Sequence, residues 1–258
     1  MILCSPNPDS MLKAAILSLL TGQLAELRVA AMEQPNLFNL SDEIDANGYS
    51  LSKLICEIES KTGCNYAWLS HYQGRRIAIM SLFNLRNHSR DCSPIIFAAL
   101  AEALYFGPGY CICGRGAASS VFRRRSREVG SEIHRMMGLI RFDETAEGDL
   151  VARPKLFHHT ADILLRRFQL RYPTKRLVFL LPDGALCCEQ GRISHIAMQD
   201  LPPALLNPTD EFASLWETYY RSQYIPARKN IRLASHFIPK KYWDWLPEGK
   251  ILEQESKK

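Results

Sequence analysis

The sequence predicts an α+β protein: a mainly helical N-terminal region, then a β-β-α-β-β antiparallel unit with C-terminal helices. Three observations predict it. Up to Phe106, apolar residues recur at helical spacing, with capping residues and glycines at the ends of the runs. Further on, two pairs of short apolar runs are joined at Glu147-Gly148 and at Asp183-Gly184, and they flank the amphipathic stretch His159–Leu170. Between these regions lies a glycine-rich segment, Gly107 to Ser119, read as a flexible connector. The expected divisions are residues 1–116, residues 117–250 and a frayed tail at 251–258.

Each element has its own signal. Asp9-Ser10 opens a helix through about residue 32, with Leu12, Ile16, Leu19, Leu20, Leu24 and Leu27 on its apolar stripe. A second helix fits Leu51 to Lys61, opened by Ser50 or Ser52 and closed by Gly63. Asn65 to Phe83 reads two ways, as a hairpin turning at Gln73-Gly74 or as a helix from Arg75 onward. Pro94 to Phe106 is a helix with Pro at its start and Gly107 at its end. Ala117 to Met137 is a basic helix containing Arg123-Arg124-Arg125. The helix His159–Leu170 is stopped by Tyr172-Pro173, and two more helices are expected near residues 209–224 and 227–236.

Composition excludes several classes. At 47% hydrophobic and 23% charged, this is a soluble globular chain rather than a disordered one. The run Ala14–Leu20 is far short of the roughly 20 apolar residues a bilayer needs, so no membrane association is expected. Asp9 precedes that run and no basic leader does, which predicts a cytoplasmic protein with its eight cysteines reduced. Cys187 and Cys188 point to opposite faces of a strand. Gly114 to Ser119 spells only G-x-G-x-x-S, without the acidic residue a dinucleotide fold needs downstream. Cys111 and Cys113 lack a second pair at ligand spacing. P-loop, nucleophile-elbow, H-E-x-x-H, iron–sulfur and zinc-deaminase patterns are missing, so neither a cofactor nor a metal is expected.

Charge, by contrast, is informative. Residues 1–120 carry 9 Lys/Arg against 10 Asp/Glu, a net of −1, while residues 121–258 carry 23 against 17, a net of +6. Between Glu217 and Asp244 there is no acidic residue, yet Arg221, Arg228, Lys229, Arg232, Lys240 and Lys241 alternate with Tyr, Phe and Trp. Cations suit phosphates and flat rings suit bases. Arg228, Arg232, Lys240 and Lys241 are therefore candidate phosphate contacts, joined by Arg135, Arg141 and His236. Tyr242 and Trp243 are candidates to stack on a base, or else rings that anchor the C-terminal segment to the core. Asn230 reads a base edge or caps a helix. Glu132 and His134 are candidate catalytic residues as an acid–base pair, or else a buried carboxylate and a helix-end histidine.

Two blocks also carry a resemblance. One runs through Glu132, His134, Arg135, Met136, Gly138, Arg141 and Phe142, with Arg166-Arg167-Phe168 beyond it. The other contains Ile225, Arg228, Asn230, Pro239, Tyr242, Trp243, Leu246, Pro247 and Glu248. Together they resemble an uncharacterised bacterial family of DNA-repair or DNA-metabolism proteins, over about residues 125–250. That family is often encoded beside a radical-SAM protein and sometimes fused to a uracil-DNA-glycosylase-like domain. The resemblance implies DNA as a ligand and a radical-SAM protein as partner. Its alternatives are a nucleic-acid-processing enzyme using Glu132 and His134, and a protein-only adaptor for the radical-SAM enzyme. Leu139 stands where relatives have Phe, Ile238 where they have Met, and Ile163 where they have His. Any chemistry carried by that His in relatives is absent here.

Overall fold

The computed structural model describes residues 1–27, 43–89, 92–206, 218–219, 222 and 230–256. The chain divides into two compact units, Met1–Gly130 and Ser131–Lys258. The expected helix over 209–224 lies largely outside the described residues, as do Arg221, Arg228 and Lys229.

The first unit is mainly helical. Its helices are α1 (Pro8–Thr21), α2 (Leu51–Thr62), α3 (Tyr72–Arg86), α4 (Cys92–Phe106), α5 (Pro108–Cys113) and the start of α6 (Ala117–Leu139). Helix α1 is capped by the Asn7 side chain, which accepts the Ser10 N–H at 2.9 Å, just before the expected Asp9-Ser10. It stops at Thr21 rather than near residue 32 because Gly22 takes φ 73°, a left-handed C-cap. The ambiguous stretch is helix α3. There Gly74 packs so close to the Leu69 carbonyl that a Cβ would sit 2.1 Å from its oxygen. The sequence hid a small parallel sheet of β1 (Ile2–Cys4), β2 (Ala25–Leu27) and β3 (Ile44–Asp45), in the order β2-β1-β3. Strands of two or three residues are too short to show a period. Ile2, Met11, Ile16, Leu54, Ile58, Ile77, Ile96, Leu100 and Phe122 form the core.

The expected flexible connector is ordered. Pro108–Cys113 is helical, and Gly107 (φ 86°) and Gly114 (φ 67°) make the bends on either side. Gly116 admits the Glu102 carboxylate, which accepts the Ala118 N–H at 3.1 Å and the Ser119 N–H at 2.9 Å. A Cβ on Gly116 would lie 2.2 Å from that carboxylate oxygen. Burial pushes the Glu102 carboxyl up, but the bonds from Ser119 and Ala118 outweigh it and leave the carboxyl below its usual range. The glycines thus serve a helix cap supplied by a side chain, and the loop is no dinucleotide cradle.

The second unit is built on a five-stranded sheet in the order β4-β5-β6-β7-β8. Its strands are β4 (Asp143–Glu144), β5 (Leu150–Ala152), β6 (Leu177–Leu181), β7 (Gly184–Glu189) and β8 (Arg192–Ala197). All neighbours pair antiparallel except β5 and β6, which are parallel. Helix α7 (Ala161–Arg171) crosses over between them, and a crossover is what parallel neighbours require. The sequence shows four of these strands. The fifth, β8, was missed because it is a polar edge strand, entered through a turn with positive φ at Gln190 and Gly191.

Both faces of the sheet are covered. Phe168 of α7 meets Phe142 edge-on at 5.0 Å, and Phe142 stacks on Phe179 at 5.8 Å. Leu201 and Leu205, at the entrance to α8 (Pro203–Leu206) and within it, pack with Val151, Val178, Ala185 and Cys187. Hence both Cys187 and Cys188 are buried although they point opposite ways. Helices α9 (Ile231–Phe237) and α10 (Pro247–Ser256) close the described chain. The tail beyond residue 250, expected to fray, is helical through Ser256, with Leu252 fully buried. Among the described residues, no helix is long and apolar enough to cross a membrane.

Candidate nucleic-acid interface

The second half of α6 carries Glu132 on its buried side. The Glu132 carboxylate accepts three hydrogen bonds: the Phe157 N–H at 2.8 Å, the His158 N–H at 3.1 Å and the Thr160 hydroxyl at 2.8 Å. It thereby holds the loop that leads into α7. His134 sits two residues further on and is exposed. Residues i and i+2 of a helix face about 200° apart, so Glu132 and His134 do not form the expected acid–base pair.

Tyr242 and Trp243 are also corrected. Tyr242 is fully buried and Trp243 is 5% exposed, so neither ring is open to a base. Tyr242 meets Phe157 edge-on at 5.4 Å. Its phenol is pushed up to about 12, mainly by burial and further by Glu132, with Arg135 opposing. The Trp243 indole N–H donates to the Ile238 carbonyl at 2.7 Å. A Cβ on Gly249 would come within 2.3 Å of the Trp243 Cα, which shows how tightly α10 lies on this turn. Both rings are core, the anchoring alternative.

Other candidates divide in the same way. Arg141 donates to the Gly138 carbonyl at 2.7 Å and pairs with the buried Glu248 at 3.4 Å, so it braces the end of α6 against the C-terminal segment. The Asn230 side chain accepts the Leu233 N–H at 2.9 Å and caps α9. Arg135 is half-buried, near enough to Tyr242 to act on its phenol. Arg232, His236, Lys240 and Lys241 are exposed. The Lys241 ammonium stands 3.9 Å above the Phe157 ring, and Lys240 lies 5.7 Å from the Trp243 ring. Phe157 is 38% exposed and Phe237, edge-on to His236, is 66% exposed. The nearby pair Lys155–Asp244, at 2.6 Å, is exposed as well.

The exposed set therefore combines cations with two rings, Phe237, which is open, and Phe157, which is partly exposed with Lys241 over one face. Sequence reading missed Phe157, His158 and Thr160 because nothing in their local pattern reveals a bond to a carboxylate 25 or more residues away. Among the described residues, no group of three or more His, Cys, Asp or Glu side chains is placed to hold a metal ion.

The two resembling blocks meet at the Arg141–Glu248 pair, and they lie within one matched segment. The DUF4130 family, a domain of unknown function, matches residues 94–248. This chain belongs to the DUF4130 family. No curated protein and no solved structure matches it. The DUF4130 segment runs from α4 through α6 and the five-stranded sheet, and it ends on Glu248 itself. The first three helices and the small parallel sheet precede it.

Proposed function

We propose that this DUF4130 protein is a DNA-repair or DNA-metabolism factor that binds nucleic acid through its exposed basic C-terminal surface and acts with a partner enzyme. One observation carries the reading. Arg232, His236, Lys240 and Lys241 project from a stretch without a single carboxylate, beside the exposed ring of Phe237 and the partly exposed ring of Phe157. Ammonium and guanidinium groups neutralise phosphates and release their counterions, while an open ring face accepts any base. The stacking role passes from Tyr242 and Trp243 to Phe157 and Phe237. The family resemblance supports DNA as the polymer and a radical-SAM enzyme as the partner.

The enzyme alternative draws on Glu132 and His134 as an acid–base pair, and their facing about 200° apart on α6 favours the binding reading over it. Charge reversal tests the binding reading. Lys240→Glu with Lys241→Glu should weaken DNA binding at least roughly tenfold while leaving the melting temperature near wild type, since both side chains are exposed. Unchanged affinity would remove this surface from the interface.

A further inference from the structure

The first unit holds a second basic site that the C-terminal surface does not explain. A groove of about 560 Å³ is lined by Tyr72, Arg75, Arg76 and Ile79 of α3, Met80 beside them, Ile112 of α5, and Arg123, Ser126 and Arg127 of α6. Helical spacing sets the rim. Tyr72, Arg75, Arg76 and Ile79 follow i, i+3, i+4 and i+7, and Arg123 and Arg127 are four apart. The two helices are clamped together below it, where the Asn84 amide donates to the Phe122 carbonyl at 2.8 Å and Gly130 faces the Phe83 ring.

Four guanidiniums thus converge on one groove, and none of the lining residues is acidic. Arg75, Arg76 and Arg127 form no ion pair with a described carboxylate, while Arg123 spends one N–H on the Cys113 carbonyl at 3.1 Å. Like charges at this spacing repel one another, so the cluster costs stability unless an anion occupies it. General basicity does not account for it, because the first unit, residues 1–130, carries 13 Lys/Arg against 11 Asp/Glu, a net of only +2. The floor is chemically different: Met80 and Ile112 are buried, and Ile79 (54% exposed) and Tyr72 (71% exposed) open onto the groove.

A charged rim over an apolar, partly aromatic floor matches a ligand with phosphate at one end and a flat ring at the other. We propose that this groove is a nucleotide site. Phosphate oxygens accept from Arg75, Arg76, Arg123 and Arg127, for which planar guanidinium forks are suited, and the base covers Ile79, Met80 and Ile112 beside Tyr72. The volume falls in the range of small-ligand pockets and suits one nucleotide, either free or at the end of a strand.

The test is a titration of the full chain with AMP, ATP, inorganic phosphate, a short 5′-phosphorylated oligonucleotide and its unphosphorylated counterpart. Wild type should bind a nucleotide saturably, one per chain, and more tightly than phosphate alone. Arg76→Ala with Arg127→Ala, both exposed positions, should weaken that binding roughly tenfold or more, with the circular dichroism spectrum retained. Arg192→Ala, a charge deletion in the second unit, should leave it unchanged. Competition by the 5′-phosphorylated strand at AMP-like affinity identifies a strand end, and competition by free nucleotides alone identifies a small ligand. Either supports the site. Absence of saturable binding up to millimolar nucleotide overturns it, as does equal affinity in the double variant. A mononucleotide does not report on DNA binding at Lys240 and Lys241, so the two proposals can fail separately.

Discussion

The Thr160 hydroxyl donates to the Glu132 carboxylate at 2.8 Å, and both side chains are buried. That bond, with the two from Phe157 and His158, makes Glu132 the clamp between α6 and the start of α7. A residue that reads in sequence as a proton carrier is thus a structural acceptor, and its removal has a calculable cost.

Glu132→Ala strands two backbone N–H groups and a hydroxyl in a buried site. Each unsatisfied donor costs about 1–3 kcal/mol, so a loss on the order of 3 kcal/mol is expected in urea unfolding. Glu132→Gln keeps one acceptor oxygen and should lose clearly less. Wild-type stability in Glu132→Ala, paired with lost DNA processing, would return Glu132 to chemistry.

Burial likewise decides between the aromatic residues. Tyr242→Ala should cost about 3–5 kcal/mol of stability, as a large ring leaving a packed core does. Phe157→Ala should instead weaken single-stranded DNA binding by about 1–3 kcal/mol, with a smaller effect on duplex. Reversal of the two outcomes would place Tyr242 at the interface.

High pH tests the environment of the same tyrosine. Its phenol ordinarily ionises near 10 and is pushed up to about 12 in the fold, so the folded state favours the neutral form. The resulting stabilisation is complete below pH 10 and disappears as pH rises through 12, a loss on the order of 2 kcal/mol. Burial pushes the Cys4 and Cys111 thiols from 9 up to about 12 in the same direction, helped by Asp45 and Glu102 respectively. Denaturation followed from pH 8 to pH 12 should show falling stability, and Tyr242→Phe should flatten the upper part of the fall. A curve identical to wild type would mean that the phenol is solvated.

Gly249→Ala should be among the most destabilising small substitutions. The new methyl would meet the Trp243 backbone at 2.3 Å, so α10 must lift from the turn, at a cost of about 2–3 kcal/mol by thermal melting. Gly138→Ala, with open space around its Cβ position, is the matched control and should stabilise α6 slightly.

Local signals made the helices legible: Gly63 ends α2, and Gly107 separates α4 from α5. The β-β-α-β-β order was legible from turn residues and apolar runs. The parallel β5–β6 pairing was not, because register between strands separated by a helix is a long-range property. The site divided along the same line. Exposed cations such as Lys240 and Lys241 are visible in composition, whereas the partners that bury Tyr242 and engage Glu132 are far off in the chain. The groove of Arg75, Arg76, Arg123 and Arg127 is not legible in sequence because only folding brings the two pairs together.

The most direct test of nucleic-acid binding is the affinity of the full chain for single-stranded and duplex DNA, by fluorescence anisotropy across a range of salt concentrations. The basic surface should bind DNA with log affinity falling against log salt at a slope of about −3.5 for single strands and about −4.5 for duplex, as neutralisation of about five phosphates requires. Affinity that is undetectable at low salt, or that does not change with salt, would contradict the assignment.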